Sequence, residues 1–417
     1  MSQPDLEKFD QRAIIVAQAG TSLSHASHGL QLLQGTSQKQ ADPVTRELDK
    51  PYLGASVQPM TNFRATINGT LELRPPQDPG HASLGIPPTD NVIRPCGLAR
   101  TLASVLGTTT YNVVSSGFTL ADANWWHSGL YLEVRDAAGD LSNLKIEIGQ
   151  AFTATLALTG NYTELGEEAL PTDVDLTAFV GSPTVAEPEN TVMLISTAES
   201  ADLPELHLWG KSLTANLGHS VNVKRYSELR QSGITGRAAN YTAVFAKTAL
   251  ADFNPDAYFR NRKVLRIVMR VREADGRYSA LGVLGTVDSY SETDVEGDLC
   301  FQIQGACTPV APGNNEVYVE FGYDGFALRG GLSDGEEGAV YDDGVGISSI
   351  NGTGTVTYAL ASGSAALPTG LSIASTGAIT GTPGVGTAGD YTITVEATDS
   401  DSPANTCTRD YTFTVAP

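Results

Sequence analysis

Residues 265–272 read LRIVMRVR. Leu265, Ile267, Met269 and Val271 occupy one parity of this run, and Arg266, Val268, Arg270 and Arg272 the other. A period of two is what a half-buried strand requires, because successive side chains point to opposite faces of a sheet. The same period recurs along the chain. Phe63, Ala65, Ile67, Gly69, Leu71 and Leu73 alternate with Arg64, Thr66, Asn68, Thr70, Glu72 and Arg74. Phe152, Ala154, Leu156 and Leu158 alternate with Thr153, Thr155, Ala157 and Thr159. Leu130, Leu132 and Val134 open another strand, and further strands fit 144–148, 213–217, 279–289 and 299–303. The predicted fold class is mainly β.

Between these strands the punctuation differs. The run PPQDPGHASLGIPPTD, residues 75–90, reads as loop, since its prolines, Pro87 and Pro88 among them, lack the N–H a ladder needs. Pro95 suits a first helical turn, and Leu98, Leu102 and Val105 recur at helical spacing, so a short helix is predicted over 95–106. A second helical turn is predicted at Pro255 with Asn254 as its cap. AAGDLSN, residues 137–143, reads as a turn, and 161–190 as a linker or long excursion.

At roughly 150 residues per domain, 417 residues suggest two or three domains. The expected divisions are an N-terminal arm at 1–50, a first domain at 51–185, a second at 186–332 and a small β-sandwich at 333–417. The last segment is rich in Thr, Ser, Gly and Ala, with short alternating strands around Tyr391, Ile393 and Val395 and around Tyr411, Phe413 and Val415. Both larger units run from strands through a short helix near a proline to more strands, an order that hints at duplication.

Charge narrows the function. Asp and Glu number 47 against 26 Lys and Arg, a formal net charge of -21. That balance argues against holding nucleic acid by phosphate neutralisation, though not against its passage along the surface. Six of the basic residues, Arg260, Arg262, Lys263, Arg266, Arg270 and Arg272, crowd into one short stretch. In an acidic chain this island is a surface of opposite sign on which an acidic copy could dock head to tail, if it is not simply a hydrated strand face. Cys96, Cys300, Cys307 and Cys407 are too few for a disulfide scaffold. Either Cys300 and Cys307 close a small loop, or all four are isolated thiols. The first residues lack a basic start before an apolar run, and no stretch approaches the ~18 apolar residues of a spanning helix. The expectation is a protein kept in a cytosol-like compartment or released by a route other than secretion.

Chemistry is sparse. The six histidines form no HExxH, and neither GxSxG nor a P-loop is present. His25 and His28 lie in arm-like sequence, and His127, His207 and His219 read as packing or surface residues. The carboxylates Asp334, Glu336, Glu337, Asp342 and Asp343 read as a solvated linker, and Asp399 with Asp401 as a weak calcium candidate without EF-hand spacing. No catalytic residue, metal ligand or cofactor is expected.

The order of short phrases resembles the major tail tube proteins of long-tailed bacteriophages over about residues 40–325. Those phrases are TREL at 45–48 and YLG at 52–54, the strand at 63–73, and VIRPCGL at 92–98 where the family reads LLRACGF. They continue with TTY at 109–111, a Gly-turned hairpin at 129–139, TGNY at 159–162 and ITGR at 234–237. Residues 367–373, 376–383 and 388–399 resemble an Ig-like family of bacterial and phage surface modules, with LPTGLSI, TGAITGTP and AGDYTITVEATD. The resemblance implies two tandem tail-tube-like β-barrel or sandwich domains, each with a short helix, followed by an Ig-like sandwich. It implies a virion protein, made in the host cytoplasm, whose copies join sheets edge to edge into stacked rings around a channel for DNA. Two tube folds per chain imply trimeric, pseudo-sixfold rings. Tail terminator, tape measure and baseplate proteins are the implied partners, and host surface glycans suit the Ig-like module. The coarse expectation for subunit contacts is Arg266, Arg270 and Arg272 with the loop at Pro87 and Pro88. Pro95 departs from the family's Ala, and the wording after Trp126 is missing, so a terminator or baseplate ring relative stays open. So does a free-standing surface-binding protein. A glycan hydrolase is the weakest class, because no carboxylate pair stands out.

Overall fold

The computed structural model describes residues 12–44, 58–76, 86–103, 108–162, 165–179, 182–197, 206–225, 230–273, 276–311, 313–323, 325–342 and 346–417. Ahead of residue 324 the described chain runs β1 (Arg12–Gln18), β2 (Leu33–Pro43), β3 (Met60–Glu72), α1 (Asp90–Ile93), β4 (Leu98–Ala103), β5 (Thr108–Val113) and β6 (Ala121–His127). It continues with β7 (Leu130–Glu147), β8 (Thr153–Asn161), β9 (Leu165–Glu167), β10 (Thr191–Thr197), β11 (Leu206–Leu208), β12 (Gly210–Asn216), β13 (His219–Arg225) and β14 (Arg230–Arg237). Then come β15 (Asn240–Ala246), α2 (Pro255–Asn261), β16 (Leu265–Arg272), β17 (Arg277–Gly285), β18 (Ser289–Val295), β19 (Asp298–Ala306) and β20 (Val317–Tyr323). The protein is mainly β.

The larger sheet has a main path β2-β3-β8-β7-β12-β15-β19-β18, antiparallel at every step, with β1, β6 and β9 attached beside β7. This path is one pattern used twice. β2, β3, β8 and β7 form a quartet, and β12, β15, β19 and β18 form a second with the same spatial order, directions and chain connectivity. In each quartet the second strand leads into a short helix and a hairpin, α1 with β4–β5 or α2 with β16–β17, before the chain returns. Both hairpins belong to the smaller sheet, β11-β10-β16-β17-β20-β5-β4. The duplication hinted at by the order of features is therefore visible in the strand topology.

The quartets are not separate domains. β7 pairs β12 across the expected boundary near 185, and β5 pairs β20 from the other end of the chain. One core runs from Ile14 through Ile67, Leu158, Leu213 and Phe245 to Phe321. The expected division at 51–185 and 186–332 is corrected accordingly: each half leaves a sheet edge that the other half covers. Neither large sheet closes into a barrel among the described strands, since each path has two ends.

Several local expectations are also corrected. The predicted helix at 95–106 is a strand from Leu98 to Ala103, and its last residues, 104–106, lie outside the described residues. The φ of 75° at Gly97 ends the α1 turn, and Leu98 then pairs with Val113. Asp90 anchors the turn from below: the Tyr111 hydroxyl donates to its Oδ1 at 2.6 Å, and Arg100 Nη1 donates to its Oδ2 at 2.9 Å. The expected turn at 137–143 is a bulged part of β7. Asp136 and Asn143, both at φ 49°, absorb the register shifts while Ala137, Ala138 and Leu141 stay buried. The expected arm is partly sheet, because Ile14, Ile15, Val16 and Ala17 are buried and β2 pairs β3. α2 forms as predicted, with Asn254 accepting from the Asp256 N–H at 3.1 Å and Pro255 in the first turn.

From Ala327 onward a second core gathers Leu328, Tyr341, Ile347, Ile379, Ile393, Val395, Tyr411 and Phe413. The long hairpin of Gly389–Thr398 and Thr406–Ala416 carries most of it. This unit starts six residues before the expected 333, because Leu328 belongs to its core.

Candidate self-assembly surfaces

Three of the predicted contact residues share one sheet face. Arg266, Val268, Arg270 and Arg272 of β16 lie beside Leu284, Gly282, Ala280 and Tyr278 of β17, and β20 adds Tyr318, Glu320 and Gly322. Tyr278 stands opposite Gly322, and Gly282 stands opposite Tyr318. Each ring lies across its glycine: a Cβ on Gly282 would fall 2.0 Å from Tyr318 Cζ, and one on Gly322 2.4 Å from Tyr278 Cζ. The guanidinium of Arg270 then sits 4.1 Å from the Tyr278 centroid, and that of Arg266 5.7 Å from the Tyr318 centroid. Between the two stacks, Glu320 accepts from the Tyr278 hydroxyl at 2.8 Å and lies 3.8 Å from Arg270 Nη2. The two tyrosines join Val268, Ala280 and Leu284 of the same face in a small buried apolar layer, with the arginines over it.

Two further members of the basic island are paired locally. Arg260 pairs with Asp256 at 2.6 Å and Arg262 with Asp288 at 3.0 Å. Pro87 is buried just before α1 and Pro88 is half-buried, while 77–85 of the predicted loop lie outside the described residues.

The main path of the larger sheet ends in β18 and β2. β18, SYSETDV, is exposed along most of its length and carries Glu292 and Asp294. β2, LQGTSQKQADP, is similarly polar and carries Lys39. Sheet ends present unpaired N–H and C=O groups ready to accept another strand. Away from the core, the same sheet shows a face of half-buried hydroxyls and amides. Thr66 and Thr159 share a hydrogen bond at 2.8 Å, and Asn216 Nδ2 donates to Asn240 Oδ1 at 2.9 Å. Lys145 and Glu147 pair with each other there at 2.6 Å.

The fold does assemble one constellation that the sequence order hides. His219 donates its backbone N–H to Asp140 Oδ1 at 2.9 Å, and its ring packs on Gly97 beside Cys96. A nucleophile it is not. Burial, with help from the Asp140 charge, pushes the Cys96 thiol well above its ordinary range. Burial and then the Arg237 charge push His219 down to about 4, so the imidazole is neutral. Neither ring nitrogen makes a hydrogen bond of normal geometry, although the Cys96 main chain lies near enough to favour the proton slightly.

The other candidates are satisfied by structure. Asp399, expected as a weak calcium ligand, accepts from the N–H groups of Asp401, Asn405 and Thr353 and from Asn405 Nδ2, which clamps the loop. Those donors hold its carboxyl at about 2. In the supposed linker, Asp334 accepts from the Thr414 N–H and Glu337 from that of Ala388, so this stretch is built into the C-terminal unit. His25 pairs with Asp173 at 2.7 Å, and His28 Nδ1 accepts from the Ser24 N–H at 3.0 Å. All four cysteines are free thiols, with Cys300 near the start of β19 and Cys307 just past its end. Among the described residues, no group of three or more His, Cys, Asp or Glu is placed to hold a metal ion. Among them too, no helix is long and apolar enough to cross a membrane.

The C-terminal unit has its own core, a four-stranded sheet facing a three-stranded one, and the LPTGLSI and TGAITGTP phrases on the latter. Residues 334–416 match the family described as Putative Ig domain. The C-terminal unit is an Ig-like domain. No curated protein matches the chain.

Proposed function

We propose that the chain is a structural subunit that closes into rings and stacks into the tail tube of a long-tailed phage, the channel for DNA. The observation that carries this reading is the repeated quartet. Inside the chain, the last strand of the first quartet, β7, pairs antiparallel with the first strand of the second, β12. β18 ends the second quartet and β2 begins the first. Repeating the internal junction between copies joins β18 of one subunit to β2 of the next in the same antiparallel sense, and a curved series of quartets then closes. Closure also removes the two edges that would otherwise invite aggregation.

Three chains of two quartets make a pseudo-sixfold ring. The Thr, Asn and Gln face of the large sheet would line the channel, with too few unpaired cations to hold phosphates in transit. The Gly–Tyr–Arg face and the segment around Pro87 and Pro88 would serve contacts between rings or neighbours. Terminator, tape measure and baseplate proteins would meet the tube ends, and the location would be the virion. The Ig-like domain, with its separate core, would project from the tube and suits glycan contact at the host surface.

Negative-stain microscopy of the concentrated protein should show rings or tubes. Mixed copies carrying Glu292→Cys or Lys39→Cys should then cross-link through a short bis-maleimide between β18 and β2, and not between like strands. A chain that stays monomeric at every concentration would overturn the tube and favour a free surface-binding protein.

A further inference from the structure

Of the chain's three tryptophans, Trp125 and Trp126 are core residues, 2% and 1% exposed. Trp209 is 82% exposed. It stands where the chain leaves β11 for β12, on a groove shared with Lys247 and with Leu299, itself 45% exposed. The backbone fixes it there. Its carbonyl accepts from the Ala246 N–H at 2.8 Å, and Gly210 beside it packs against Met193. A large aromatic side chain held out of the core on a strand end has the character of an interface anchor.

The internal repeat shows what this end of the sheet lacks. The β3–β8 ladder ends at Glu72 and Thr153, and the next bond runs from the Leu73 N–H to the Phe152 carbonyl. The β15–β19 ladder ends likewise at Ala246 and Cys300, and the next bond runs from the Lys247 N–H to the Leu299 carbonyl. Leu73 and Phe152 are buried in the main core with Phe179 and Ala186. Those two come from the excursion after β9: the Phe179 carbonyl accepts from Arg74, and Ala186 bonds to Gly149 and Gln150. At the matching positions of the second quartet, Lys247 and Leu299 are exposed.

The other end of the same strands is hollow. Seven-residue β15 carries the chain about 20 Å at ~3.4 Å per residue. There Asn240 and Gln304, with Phe118, Ile234, Ala238 and Pro309, line a cavity of about 820 Å3. Its wall is mixed, apolar in places and amide in others, and an indole likewise joins an apolar ring to one N–H donor. An engineered cavity of about 150 Å3 accepts benzene, so there is room for Trp209 and a leucine beside it.

A knob and a hollow at opposite ends of one set of strands do not meet within a molecule. Between copies they make a head-to-tail contact, which does not close on itself and extends into an open stack. We infer that Trp209, with Leu299, seats in the cavity at Ala238 and Gln304 of a second copy lying further along the strand direction. That this contact joins ring to ring rests on the tube reading; the contact itself does not.

Two surface variants test it by sedimentation and negative-stain microscopy. Trp209→Ala removes the knob and keeps the hollow, and Ala238→Trp fills the hollow and keeps the knob. Both positions are exposed, so each variant should keep the wild-type melting temperature. Each alone should form single rings and need about tenfold or more higher concentration to lengthen into tubes. Mixed, the two kinds of ring should pair and stop, because only one match of knob and hollow survives. Tubes of wild-type length from Trp209→Ala would overturn the contact and leave the rings standing. Such tubes from Ala238→Trp would also overturn it, placing Trp209 on some other surface. Wild-type chains that join head to tail without rings, and lose this in both variants, would support the contact and remove the tube. A wild type that stays monomeric would overturn both.

Discussion

The two cores of this chain end their sheets differently, one in short strands and the other in long ones. The Ig-like domain finishes its business within about ninety residues: its sheets are short, its hairpin of Gly389–Thr398 and Thr406–Ala416 is self-paired, and Asp399 ties its final loop with N–H donors. The body upstream spreads one core through strands drawn from both ends of the sequence and still ends in two open strands, β2 and β18. The Ig-like domain's sheets end in short strands, Gly335–Glu336, Thr357–Leu360, Tyr341–Asp342 and Leu371–Ile373, which offer little to an incoming strand. A sheet built by repetition carries an open junction at both ends, which under the proposed function another copy would fill.

The contrast can be broken most severely at the glycines of the body. Gly282→Val would drive a side chain into the Tyr318 ring, lift Arg266 with it and cost about 3 kcal/mol or more. Differential scanning calorimetry should show the body's transition falling while that of the Ig-like domain stays in place.

Acid should separate the two regions next. His219 titrates near 4 in the fold against about 6.5 in an unfolded chain, so the unfolded state takes up the extra proton. The stability it contributes is complete above about pH 6.5 and is lost as pH falls toward 4, on the order of 3 kcal/mol. Asp399, held at about 2, behaves later: its contribution is present above about pH 4 and fades only as pH falls toward 2. Thermal melts across this range should show the body weakening first, and His219→Phe should flatten the body's dependence between pH 6.5 and 4.

Asp399→Ala tests the other side of the comparison. It removes the acceptor of four donors in the Ig-like domain, so that domain's melting temperature should drop and the body's should not.

The smallest effect on folding is expected from the double substitution Arg266→Glu with Arg270→Glu. It forfeits two cation–π contacts and places new carboxylates near Glu320, at a cost of about 1 to 2 kcal/mol. Sedimentation should nonetheless show polymerisation blocked. Normal tubes from this variant would remove the Gly–Tyr–Arg face from the assembly surfaces and leave the β18–β2 junction untouched.

Much of this was legible in local pattern. Alternation announced β3, β8 and β16, and Asn254 with Pro255 announced α2, because burial on one face and capping act within a few residues. The helix misplaced at 95–106 shows where local signals tie. Leu98 and Leu102 satisfy a helical and a strand period alike, and only pairing with β5 decides between them. The arm was misread for a similar reason: Ile14 to Ala17 have no partner nearby in sequence, and the strand that buries them, β6, begins more than a hundred residues later.

By itself, then, the amino-acid order settles the β character, the strand faces, α2 and the Ig-like domain, all of which follow from short-range periodicity or a contiguous phrase. The tertiary structure alone decides that two quartets share one core, that tyrosines roof the glycines opposite them, and that Cys96, His219 and Asp140 meet. Those outcomes depend on which distant strands pair, and strand pairing is chosen by the burial of whole sheets, which no short stretch of chain encodes.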